Sequence, residues 1–223
     1  MAATCFGESG SNFGLGVRAS TLGIGVEGAA AVSHRDNIRA GFDMFNYGLD
    51  LTKDGVNYDA RLKLRSAHVL LDQYLIGGLH LSPGFMFYNT NKATATGTAA
   101  AGRTFTLGDR TYISQASSPL QGSAEVSLGR AAPMLMLGVG NLVPRSGRHF
   151  TANFEVGVVY QKAPEMKLNL SGNACDAVSN VCGAVMSLPG FADNVVKEQN
   201  KINDDLKPFK YYPIVSLGFG WSF

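Results

Sequence analysis

Along most of the chain, apolar and polar residues alternate one by one. The clearest run covers residues 212–223. There Val215, Leu217, Phe219, Trp221 and Phe223 share one parity, and Ile214, Ser216, Gly218, Gly220 and Ser222 the other. Successive side chains of a strand point to opposite faces, so one face of this strand is apolar and ends in aromatics, and the other is mostly small or polar. The theme recurs. Leu22, Ile24 and Val26 alternate with Gly23, Gly25 and Glu27. Ile38, Ala40, Phe42 and Met44 alternate with Arg39, Gly41 and Asp43. Val56, Tyr58, Ala60, Leu62 and Leu64 alternate with Asn57, Asp59, Arg61, Lys63 and Arg65. Leu79, Leu81, Phe85 and Phe87 alternate with His80, Ser82, Gly84 and Met86, and Ala124, Val126 and Leu128 with Ser123, Glu125 and Ser127. That last run resumes over 134–139, and Phe154, Val156 and Val158 alternate with Asn153, Glu155 and Gly157.

Short polar stretches at 33–37 and 144–148, and glycine turns at 53–55 and 76–78, separate these runs. Regular strands joined by such turns predict an all-β, antiparallel up-and-down barrel. Seven runs are clear, and Met166, Leu168 and Leu170 make either an eighth or a continuation of 150–160. Closed single-chain bacterial barrels have even strand numbers, so eight is the expected count. A tail, 1–13, precedes one barrel domain, 14–223. Residues 90–120, rich in Ala, Thr and Gly, read as a long loop or a hairpin reaching beyond the membrane. A second loop, 173–207, holds Phe191, Val195, Ile202 and Leu206 near one face at helical spacing, which predicts a short amphipathic helix over 191–206. It caps the mouth, enters the lumen, lies on a membrane surface or packs on the rim.

Composition sharpens the picture. Only 16% of residues are charged, below the roughly 25% of soluble domains. A net charge of +2 offers no basic footprint for nucleic acid and no polybasic patch for a membrane surface. No apolar stretch reaches the roughly 18 residues of a transmembrane helix. A membrane protein lacking one must be a closed barrel, because only closure pairs every backbone group in lipid. Residues 1–10 lack a signal pattern, so an exported chain has lost its signal or the sequence is a fragment.

Lipid demands apolar side chains outward, polar ones inward and aromatics at the interfaces. A soluble lipocalin-like barrel has the same alternation with the apolar face inward, and the aromatic end of the last strand argues against it. With the apolar sets outward, Glu27, Arg39, Asp43, Asp59, Arg61, Lys63, Arg65, His80, Glu125 and Glu155 line the lumen. In an eight-stranded barrel these charges form either an ion-paired plug or a narrow polar pore. Arg61, Lys63 and Arg65 on one face either attract an anion or meet acidic residues opposite. Cys175 and Cys182, with six residues between them in a polar segment, form a disulfide-closed loop or remain two free thiols. No Cys or His pair has metal-ligand spacing, and no cofactor motif is present.

The last strand resembles the C-terminal targeting strand of bacterial outer-membrane proteins, with Ser216, Gly218, Trp221 and Phe223 in the places of that pattern. The resemblance implies insertion by the barrel-assembly machinery. More widely, "STLGIGVE", "NIRAGFDMFNYG", "HLSPGFMFYN", "AAPMLMLGVGN" and "FKYYPIVSLGFGWSF" resemble an uncharacterised, porin-like family of outer-membrane β-barrels. The resemblance implies an outer-membrane address in lipid and transfers no known activity; the expectation for the chain is a monomer with a structural or passive-diffusion role and no enzymatic activity. His80-x-Ser82 resembles the His-x-Ser pair of lipid A deacylases, in which histidine serves as general base for the serine. The strand phase points both residues inward, away from lipid.

Overall fold

The computed structural model describes residues 12–53, 56–144 and 149–223. Residues 1–11 of the expected tail, the hairpin glycine region at 54–55 and most of the 144–148 turn lie outside the described residues. Fifteen strands and one α-helix follow in the order β1 (Phe13–Ser20), β2 (Gly23–Ala31), β3 (Asp36–Lys53), β4 (Val56–Ile76), β5 (Leu79–Asn89), β6 (Lys92–Ala99), β7 (Thr104–Leu107), β8 (Arg110–Ser114), β9 (Gln121–Ser127), β10 (Ala132–Val139), β11 (Phe150–Tyr160), β12 (Glu165–Ser171), β13 (Asn173–Asp176), β14 (Cys182–Ala184), α1 (Phe191–Leu206) and β15 (Tyr211–Ser222). No helix among the described residues is long and apolar enough to cross a membrane.

Eight strands close into an antiparallel ring in the order β1, β2, β3, β4, β5, β10, β11, β15 and back to β1. The count matches the expectation but the membership does not. Phe13–Ser20, which is not among the seven expected runs, is the first wall strand, and it pairs with both β2 and β15. β12 is not in the ring. It pairs with β9, which pairs with β6 and through it with the upper part of β4.

That side sheet exists because β3 and β4 outrun the barrel. β2 ends its pairing with β3 at Ile24↔Met44, whereas β3 and β4 stay paired to Lys53↔Val56. The extra nine residues of β3 add about 30 Å of strand. Residues 90–120, expected to be a loop or a hairpin, contain the β7–β8 hairpin and, in addition, β6. The small sheet β14-β13-β8-β7 and α1 build a head on this extension, around Tyr112, Phe191, Leu120, Leu188 and Val185.

α1 spans the predicted residues. Its Gln199 Oε1 accepts from the Leu168 N–H at 3.1 Å, and its Asn203 Oδ1 from the Met166 N–H at 2.7 Å. Positions i and i+4 share a helix face, so two side chains cover the edge donors of β12, which an edge strand otherwise leaves exposed. Asn194 donates to the Tyr112 hydroxyl at 3.1 Å, and Tyr112 meets the Phe191 ring edge-on at 5.0 Å. The helix therefore packs on the head and stays out of the lumen.

The apolar phase inverts partway up β3 and β4. Within the ring, Ile38 and Met44 face outward while Arg39 and Asp43 are buried inside. Above Met44 the apolar residues of β3 become Phe45, Tyr47, Leu49 and Leu51, which occupy the inward parity. Their cross-strand partners are Leu64, Leu62, Ala60 and Tyr58. The outward parity is now polar: Asn46, Lys63, Arg61, Asp50 and Asp59.

Candidate functional site

The ring interior is stacked in three layers. At the head end, Leu22, Leu70, Met86, Met136 and Ile214 form an apolar layer, each at most 1% exposed. At the base, Leu142 and Val143 of the β10–β11 connection pack inward beside Ala29. Asn141 holds them there, since its Oδ1 accepts from the Val143 N–H at 2.8 Å and from Asn37 Nδ2 at 3.0 Å.

Between these lies a charged layer centred on Arg39, which comes from β3 and is 1% exposed. Its guanidinium reaches three carboxylates. Nε donates to Asp72 Oδ2 at 3.0 Å and Nη2 to Asp72 Oδ1 at 2.9 Å. Nη1 donates to Glu27 Oε2 at 3.0 Å and to Glu155 Oε2 at 2.9 Å, and Nη2 also pairs with Glu155 Oε1. Asp72 further accepts from the Ser82 hydroxyl at 2.6 Å. Beside this group, Arg18 Nε donates to Asp43 Oδ1 at 2.9 Å, and its Nη1 points at His68 Nε2 at 3.2 Å.

The two histidines are in different states by geometry. An arginine N–H aimed at His68 Nε2 needs a lone pair there, so the ring proton sits on Nδ1, facing Asp43 Oδ2 at 3.4 Å. Both nitrogens of His80 face acceptors, Gly78 O at 3.1 Å and Glu155 Oε1 at 3.0 Å, so that ring carries both protons. Arg18, Arg39 and His80 then stand against Glu27, Asp43, Asp72 and Glu155: three positive charges and four negative. Glycine makes room for them. A Cβ at Gly138 would lie 2.6 Å from Glu155 Cγ and 2.8 Å from His80 Nε2, and one at Gly41 2.6 Å from the His68 ring.

Of the residues expected to line the lumen, Glu27, Arg39, Asp43, His80 and Glu155 lie buried inside the ring. Asp59, Arg61, Lys63 and Arg65 do not. They stand on the outward face of the extension, where Arg61 pairs with Asp59 at 2.8 Å and Asp50 at 3.2 Å. Glu125 is on the same solvent face, 3.6 Å from Lys92. The first four belong to the part of β4 in which the apolar phase has inverted, so their parity carries the opposite sense, and Glu125 belongs to β9, which lies outside the ring. Arg18, His68 and Asp72 are inside and had not been singled out. Each has the polar parity of its strand, but His68 and Asp72 sit among Val69, Leu70, Leu71 and Tyr74, which hides the alternation.

The cluster is not arranged as a hydrolase. His80 is held by Glu155 and Gly78, and Ser82 donates to Asp72, so neither serves the other. Asp72, His80 and Glu155 offer ligand atoms within 4.8 Å of one another. The Arg39 guanidinium already occupies their common focus, and a cation there would meet its charge. Ser216 and Gly218 face the interior, and Trp221 and Phe223 face outward. Cys175 and Cys182 are disulfide-bonded across the β13–β14 pair.

No protein-family model matches the chain, and no curated protein matches it. Solved structures do. The crystal structure of Acinetobacter baumannii CarO has a TM-score of 0.58 at 21% identity, covering 94% of this chain and 97% of that one. That of Acinetobacter baumannii CarO2 has a TM-score of 0.61 at 15% identity, covering 96% and 99%. At these identities the likeness is one of fold, and it extends over nearly the whole chain, head included.

Proposed function

We propose that this chain is an integral β-barrel of a bacterial outer membrane, with a closed interior and a structural role, carrying the head above the membrane surface. One observation carries the reading: all eight ring strands turn apolar side chains outward, while the inward positions hold a mutually paired ionic cluster. Leu15, Val26, Ile38, Leu71, Phe85, Leu135, Phe154 and Leu217 are each 43–62% exposed. In water such a continuous belt is a severe liability, and in lipid it is required.

The dimensions agree. The outward Tyr160–Tyr211 pair marks one rim and Trp221, stacked on His149 at 5.5 Å, the other. Tyr211 and Trp221 are ten residues apart on one strand. That is about 33 Å along the strand and about 25 Å along the axis at a tilt of ~40°, the height of an outer-membrane apolar band. In such barrels short turns face the periplasm and long loops the exterior, which puts the head outside. Its disulfide suits that oxidising side. Ser216, Gly218, Trp221 and Phe223 serve as the signal by which the barrel-assembly machinery inserts a single copy. An inward-facing His80 and Ser82 give no support to lipid A hydrolysis, and an outward apolar face none to a lipocalin-like binder.

Passive diffusion of small solutes is the second reading, favoured by the charged groups along the axis; it requires Arg39 and Leu142 to move aside. Planar-bilayer recording of the refolded chain tests the choice. Insertion without steady conductance supports the structural role, and a reproducible conductance step moves passive diffusion ahead of it.

A further inference from the structure

At the head end the barrel wall is uneven. β1 and β2 turn back at Thr21 and Leu22, while the neighbouring β3 and β4 continue to residues 53 and 56. The notch above the β1–β2 turn opens into a cavity of about 580 Å³, lined by Ala19, Ile24, Phe45, Leu62, Leu64 and Phe209, among others. These residues come from two faces. Ala19 and Ile24 belong to the outward belt, and Ile24 is 66% exposed. Phe45, Leu62 and Leu64 belong to the inverted face of the extension. The cavity thus joins the outward apolar surface to the inner apolar surface over a low rim. Tyr212, which also lines it, packs against the apolar layer of Leu22, Met86 and Met136, and that layer stands between the vestibule and the charged cluster.

The groove continues upward. A second cavity, of about 260 Å³, shares Leu62, Ala93 and Val126 with the first. Its floor is a cross-strand row of small residues, Ala60↔Ala95↔Ala124. Tyr47 and Leu49 beside it are 56% and 43% exposed. An apolar sheet face must be covered by something, and the head packs only on its far part, at Ala99, Leu168 and Leu170. Small floor residues between large flanking ones shape it for a narrow occupant rather than for a packed helix. Lys92 lines the first cavity but already holds Glu125, so apolar contact rather than charge defines the ligand.

We infer that this vestibule binds a hydrocarbon chain of an outer-leaflet lipid, which enters sideways over the β1–β2 rim. The inference rests on the outer-membrane reading, because the mouth lies at the upper edge of the belt assigned there to lipid.

The test uses the full chain folded into phosphatidylcholine vesicles whose acyl chains are brominated and quench tryptophan on contact. Trp221 is the sole native tryptophan and faces outward. In a Trp221→Phe background, Leu62→Trp and Lys63→Trp place one tryptophan at the same height on opposite faces. The inference predicts that Leu62→Trp loses emission in brominated vesicles, that Lys63→Trp, on the outward side, keeps it, and that adding Ala93→Phe restores the emission of Leu62→Trp by filling the groove. Should Leu62→Trp fail to fold, Tyr47→Trp, its cross-strand partner on the same face, replaces it. If native Trp221 is quenched but the two engineered positions respond alike, the vestibule holds no chain and the inference falls while the membrane reading stands. If native Trp221 itself escapes quenching, the membrane reading falls and takes this inference with it.

Discussion

Replacing Arg39 by methionine keeps much of the side-chain volume and removes the one group that three buried carboxylates share. Arg39 contacts Asp72 through Nε and Nη2, Glu27 through Nη1 and Glu155 through both Nη atoms. With it gone, the interior passes from three positive charges against four negative to two against four, in a layer at most 2% exposed at Glu27, Asp72, His80 and Glu155. Breaking a buried pair by removing one partner costs about 3–5 kcal/mol, since the charge left behind is neither solvated nor paired. The assay is urea unfolding and refolding of the chain in phospholipid vesicles, followed by circular dichroism. Arg39→Met and Asp72→Asn, alone and together, form a double-mutant cycle, for which a coupling of about 1–3 kcal/mol is expected between residues in direct contact. A loss below about 1 kcal/mol for Arg39→Met would refute the reasoning, because exposed pairs are worth no more than that. It would mean that water reaches the carboxylates and that the barrel is not closed around them.

Gln199→Ala with Asn203→Ala removes the cover of the β12 edge. A loss of about 1 kcal/mol per bond should speed proteolysis of 161–210 while leaving the heat-dependent gel shift of the barrel unchanged. Asp176 accepts from the backbone N–H groups of Ser179 and Val178 at 2.9 Å and from Arg110 at 3.1 Å. Those backbone bonds first, and Arg110 after them, hold its carboxyl below the usual carboxylate range. Its folded value lies below the unfolded one, so its contribution is present above the unfolded value and lost as pH falls through the folded one. Amide exchange at Val178 and Ser179 should therefore rise in strong acid, and Asp176→Asn should flatten that rise. Reduction of Cys175–Cys182, seven apart in sequence, should cost the head about 2–3 kcal/mol by the loop-closure estimate. Limited proteolysis should then cut near 176–182 first, with the ring intact.

The ring was legible wherever a strand is apolar on one face only. β15 and β11 show this, and so does α1, where Phe191 and Leu206 set the bounds that the structure adopts. Reading failed where local pattern carries no absolute sense. A period of two separates the faces of β4 without saying which is inside. The inversion between Arg65 and Ser66, where the outward face passes from solvent to the apolar belt, therefore sent Asp59, Arg61, Lys63 and Arg65 to the wrong side. β1 carries the alternation as well, with Phe13, Leu15, Val17 and Ala19 outward against Gly14, Gly16 and Arg18, but it is only eight residues long and starts beside the expected tail, and it was missed. β6 was missed because its inward residues are alanine and glycine, small enough to form the groove floor and too weak to register as an apolar run. The lumen cluster was half legible. Glu27, Arg39 and Asp43 stand alone against apolar neighbours, whereas Asp72 owes its place to a strand that is apolar on both sides. That Arg39 is its centre follows only from the closure of the ring, which brings Glu155 of β11 to it across the interior from 116 positions away.

The most direct test of the central claim is refolding from urea with and without detergent micelles, read by the mobility of unheated against boiled samples in SDS gels. The account predicts a compact, heat-modifiable species that forms only with detergent, because the outward belt needs an apolar solvent. A chain that folds to a monomeric, β-rich and soluble protein in plain buffer would contradict it.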